Sequence, residues 1–180
     1  MRIAVCCGRA ELRFRATCPA RLCVTLARPV VMTSANDSPI TLRRTLLAFI
    51  AGFGATLLAH QPIIALLHVM GIAPNAPYGM KPVPPFGVPS VVSLAFWGGL
   101  WGIIMIAALY PLRRRPSWWI AALFFGAFLP TLVAWFVAAP LKGQPMAAGW
   151  KPAGMAIGLI VNGGWGIGTA VLFRLMNRQQ

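Results

Sequence analysis

After residue 32 the chain carries ten Lys and Arg, and every one of them falls between long apolar runs rather than inside them. The runs cover about 45–70, 90–110, 118–139 and 153–173. Each holds about 20 residues or more, and at ~1.5 Å of rise per residue that length crosses a hydrocarbon core of ~30 Å. A chain patterned this way is predicted to be an integral membrane protein. Its fold class is all-α, a polytopic membrane four-helix bundle in residues 45–180. A mean hydropathy of +0.73 agrees, and in 180 residues four spans leave no room for a separate soluble domain.

In a soluble protein the net charge of +14 would point to nucleic acid. Here basic residues flank helices and set their orientation, so the expected partner is the lipid bilayer and not nucleic acid. Arg43 and Arg44, Arg113 to Arg115, and Arg174 with Arg178 place seven positive charges on one face. Lys81, Lys142 and Lys151 place three on the other. The excess predicts that both termini are cytoplasmic and both Lys-bearing loops outside.

Residues 1–44 read as a cytoplasmic leader. Its first 31 residues hold six Arg and all four cysteines, Cys6, Cys7, Cys18 and Cys23, without a continuous apolar segment or C-x-x-C spacing. The preferred reading is a mis-assigned start, with translation opening at Met32; the alternative is a disordered cytoplasmic tail.

The two halves echo each other. Gly79-Met80-Lys81-Pro82-Val83 recurs as Gly149-Trp150-Lys151-Pro152-Ala153, displaced by 70 (149 − 79). Phe53-Gly54-Ala55 recurs as Phe125-Gly126-Ala127, displaced by 72 (125 − 53). Trp97 to Ile103 has a shorter echo in Asn162 to Ile167. These matches suggest two parallel helix hairpins related by an axis along the membrane normal. Three G-x-x-x-G pairs, Gly98 with Gly102, Gly154 with Gly158 and Gly164 with Gly168, let helix backbones approach closely. Intramolecular packing is the first use of such pairs and homodimerisation the second. Trp118 and Trp119, directly after the Arg cluster, fit interfacial anchors best.

The residues most suited to chemistry are His60-Gln61-Pro62 inside the first run. His60 lies ~15 Å below the outer end, and Asn162 ~13.5 Å below the same side. With Thr131 next to Pro130, they predict a mid-membrane polar layer of His60, Gln61, Asn162 and Thr131. Such a layer serves either as polar glue between helices or as a solute site. Lys81 and Lys151 either mark the outer interface or attract an anion there. His60 and His68, the two histidines of the chain, lie ~12 Å apart in rise and ~80° apart around one helix, so they cannot ligate one iron together. No metal or cofactor is expected. The acids are Glu11 and Asp37, both before the first run, so neither a carboxylate relay nor a Ser-His-Asp or metal-carboxylate set can be built within the spans.

Phe49 to Ile103 resembles small bacterial inner-membrane proteins known only as hypothetical. The resemblance is carried by His60-Gln61, Ala76-Pro77-Tyr78, Pro82 to Pro89 and Ser93 to Gly102. It implies a membrane location and four helices, and supplies no activity. The leading expectation is a non-enzymatic scaffold or accessory subunit of an envelope complex, as a homo-oligomer or with a membrane partner protein. The rival is a small-solute or anion pore using His60 and Asn162; a third is a haem- or metal-binding redox subunit whose remaining ligand comes from elsewhere.

Overall fold

A computed structural model of the protein describes residues 41–84 and 86–178. The leader up to residue 40, the four cysteines and both acids lie outside the described residues; residues 42–44, expected to end the leader, belong to the first helix instead, with Thr41 as its cap. Among the described residues, four helices are long and apolar enough to cross a membrane: α1 (Leu42–Val69), α2 (Ser90–Leu112), α3 (Ser117–Leu141) and α4 (Pro152–Arg178). They form an all-α four-helix bundle. α1 and α3 begin, and α2 and α4 finish, at one end, here called the arginine end. The opposite loop end carries a two-stranded antiparallel ribbon, β1 (Pro82–Val83) and β2 (Val88–Pro89).

The helices overrun the apolar runs at the arginine end. Thr41 caps α1, its hydroxyl accepting from the Arg44 backbone N–H at 3.3 Å, so Arg43 and Arg44 occupy the first helical turn. Cations there oppose the helix dipole. α4 continues beyond residue 173 to Arg178, placing Arg174, Asn177 and Arg178 on helix rather than in a tail.

Two prolines reshape their helices in the same way. Just before Pro62 the α1 backbone widens into a π turn, Thr56–His60, in which the Gln61 N–H reaches Thr56 O. Just before Pro140 the α3 backbone does so over Ala134–Ala138, with Ala139 N–H on Ala134 O. A π turn adds a residue and relieves the clash between a proline ring and the preceding turn. Pro130 needs no such turn and sits within regular helix.

α1 packs between α2 and α4, and α4 between α1 and α3; α2 and α3 touch more lightly, with Trp101 set edge-on to Phe125. Both hairpins close through small residues. A Cβ on Gly52 of α1 would lie 2.9 Å from Gly102 Cα of α2, and a Cβ on Gly126 of α3 would lie 2.7 Å from Gly166 Cα of α4. One helical turn away, Ala48 faces Gly102 as Ala122 faces Gly166. Lipid offers helices no hydrophobic drive to associate, so backbone approach of this kind supplies the packing. The Gly98–Ile103 and Asn162–Ile167 segments stand in matching register at these crossings. The Phe53-Gly54-Ala55 echo does not, because Gly54 faces Leu172 while Gly52 occupies the crossing.

Candidate functional site

The four residues of the expected polar layer do not form one group. Asn162 Nδ2 donates to Thr131 Oγ1 at 2.8 Å, tying α4 to α3. Gln61 turns toward the loop end, where its Oε1 accepts the Tyr78 N–H at 2.7 Å. His60 keeps a buried Nδ1 with no hydrogen-bond partner among the described residues. The register of the α1–α4 seam explains the separation. Gly168 lies against Ala59 and Gly164 against Ile63, which puts Asn162 level with Ala65. That is about 7.5 Å outward of His60 at 1.5 Å per residue. Equal depth from the helix ends misleads because the ends of α1 and α4 are staggered.

Pro62 has no N–H, so in the π register the carbonyl five residues earlier, Leu57 O, loses its backbone donor. Tyr78 supplies it: its hydroxyl donates to Leu57 O at 2.9 Å. Ser90 Oγ donates to Gly79 O at 2.7 Å, and His68 Nδ1–H donates to Ala73 O at 2.8 Å. The proline-rich loop is therefore fastened to α1 and α2 at several points. Phe86, at the ribbon tip, is 86% exposed, and Met80, just before β1, is 68% exposed. Lys81 and Lys151 are both exposed at this end.

Among the glycine pairs, Gly98 and Gly102 meet α1, Gly164 and Gly168 meet α1 from α4, and Gly158 meets Trp135 and Thr131 of α3. Gly154 instead rests on Ala148 of the preceding turn. Trp165, not singled out by sequence, is buried and reaches from α4 to the α1–α2 crossing, where its Nε1 donates to Gly52 O at 3.0 Å. The same carbonyl accepts from Thr56 Oγ1 at 3.0 Å. The interior at this level is filled by an indole ring and closely approached backbones.

The arginine end is different. Tyr110, Trp118 and Phe173 floor a cavity of about 380 Å³ there. Arg44, Arg113, Arg114, Arg174 and Arg178 surround it, so all four helices and the α2–α3 link contribute. Buried Tyr110 holds two guanidinium groups against its ring, Arg113 Cζ at 3.9 Å and Arg44 Cζ at 4.5 Å from the centroid. Such cation–π contacts fix long side chains that would otherwise be mobile. Trp118 is only 1% exposed, so its ring packs inside the protein, and its Nε1 has no hydrogen-bond partner among the described residues. Sequence reasoning took these arginines as orientation signals and missed Tyr110 altogether. The excess of arginine over acid was the available signal; the convergence was not visible.

No family model, curated protein or solved structure matches the chain.

Proposed function

We propose that this is a multi-pass bacterial inner-membrane protein, with both termini cytoplasmic, that acts without catalysis as a scaffold or accessory subunit of an envelope complex. The observation that carries the reading is the fastened loop between α1 and α2. Connections between packed helices need about 2–8 residues, and longer ones with their own order are usually functional. This one is long, proline-stiffened and held by Tyr78, Ser90 and His68, yet it displays Phe86 and Met80 to the surroundings. A rigid loop with apolar tips suits a protein contact, because little conformational freedom is lost on docking. The resemblance to small inner-membrane proteins is part of the same proposal.

The pore reading loses its support at the residue level: His60 and Asn162 lie at different depths, and Trp165 fills the crossing.

A photo-crosslinking residue at Phe86, introduced in the native host, tests the proposal. A discrete protein adduct of reproducible mass is expected, weakened when Gln61→Leu removes the acceptor for the Tyr78 N–H. Lipid adducts alone, or an adduct indifferent to Gln61→Leu, would count against it.

A further inference from the structure

We propose that the cavity at the arginine end is a binding site for a phosphate-bearing anion. The inference is independent of the scaffold reading. Five arginines surround the cavity, whereas the whole chain contains two acids, Glu11 and Asp37. Even if both acids and the C-terminal carboxylate paired here, two positive charges (5 − 3) would remain for a ligand. Helix dipoles do not supply a counter-field, since two helices begin and two end at this face and their terminal charges oppose one another.

The chemistry favours phosphate. Guanidinium groups present planar forks that match tetrahedral oxyanions bidentately, and several forks around one cavity suit a group with several charged oxygens. Arg44 and Arg113 lie against the Tyr110 ring and form one wall of the cavity. Arg174 and Arg178 stand four residues apart on α4 and share a face. Trp118 lines the same cavity, and its buried indole N–H, which has no hydrogen-bond partner among the described residues, makes the ring a sensitive reporter of charge arriving there. The volume of about 380 Å³ admits a phosphate with part of a glycerol or other small group attached.

Two sources share this chemistry, an anionic lipid headgroup and a soluble phosphate. The test uses full-length protein with ¹⁵N-labelled indoles in phosphatidylcholine nanodiscs, titrated with phosphatidylglycerol and, separately, with inorganic phosphate. The chain has seven Trp, and Trp118→Phe assigns the relevant resonance. The Trp118 resonance is expected to shift saturably, at one ligand per chain. Arg174→Gln should weaken the response about tenfold, the loss of one charge-assisted hydrogen bond. Arg115→Gln removes the same charge from the same end but does not line the cavity, so it should change the affinity by less than about twofold. Unmoved positions of the other indole resonances verify that the variants are folded. A response to phosphatidylglycerol alone assigns a lipid headgroup, and one to inorganic phosphate alone a soluble anion. No Trp118 shift with either ligand, or equal weakening by Arg115→Gln and Arg174→Gln, overturns the proposal, since equal weakening means diffuse attraction to a basic surface.

Discussion

Tyr78 adopts φ 51°, a left-handed conformation that costs a non-glycine residue about 1 kcal/mol or more. Two hydrogen bonds offset that cost: its N–H meets Gln61 Oε1, and its hydroxyl meets Leu57 O. The second bond exists because Pro62 cannot donate. Tyr78→Phe should therefore destabilise the protein by about 1 kcal/mol. In a Pro62→Ala background the new backbone N–H restores a donor to this turn, and the same Tyr78→Phe change should cost much less. Unfolding of the four variants in one detergent measures the coupling; additive losses would show that the two residues do not share the Leu57 carbonyl. The sequence marked His60-Gln61-Pro62 as a polar group inside an apolar helix, while its structural consequence comes from the proline. It could not show which group answers the freed carbonyl, because Tyr78 lies 21 residues from Leu57 along the chain.

At the scale of elements, the two hairpins close through like crossings, and each leaves no room for a methyl group. A Cβ on Gly102 would lie 2.9 Å from Gly52 Cα, and one on Gly166 would lie 3.0 Å from Gly126 Cα. Both neighbours are backbone atoms, which cannot swing aside. Gly102→Ala and Gly166→Ala should each cost about 1–3 kcal/mol by overpacking. Gly71→Ala is a poor control because its φ is 72°; Gly54→Ala, facing only a Leu172 methyl at 3.4 Å, is the suitable one and should be nearly neutral. Thermal unfolding of the three variants checks the ranking, and an equal loss at Gly54 would contradict it. The four helices were legible because lipid demands about 20 uninterrupted apolar residues per crossing. The G-x-x-x-G spacing flagged Gly98 and Gly102, while Gly52 and Gly126 carry only the weaker small-x-x-x-small spacing with Ala48 and Ala122, and their partners across the helices leave no local signature. The π turns were hidden for a related reason. Residues 56–60 and 134–138 are ordinary helix formers, and only the following proline distinguishes their position.

For the whole molecule, charge and burial divide along the bundle. The buried cluster of Ala48, Met105, Ile106, Tyr110, Trp118, Phe125, Trp165 and Phe173 occupies the arginine half, so the cavity stands on a packed foundation. The loop half is tied instead by hydrogen bonds between side chains and backbone. The arginine cavity was not legible as a site, since Arg44, Arg113 and Arg174 are distant in sequence and meet only when the helices assemble. What could be read was the asymmetry of charge between the two ends, and a cytoplasmic arginine end requires that asymmetry to be an orientation across a membrane. Single cysteines at Met80, Arg115 and Gln144, placed in a background with the four native cysteines replaced, test this most directly. Intact cells are labelled with an impermeant maleimide before and after permeabilisation. Labelling of Met80→Cys and Gln144→Cys in intact cells, with Arg115→Cys reacting only after permeabilisation, is the expected result. Reaction of Arg115→Cys in intact cells, or protection of either loop position, would contradict the four-span orientation and with it a cytoplasmic arginine cavity.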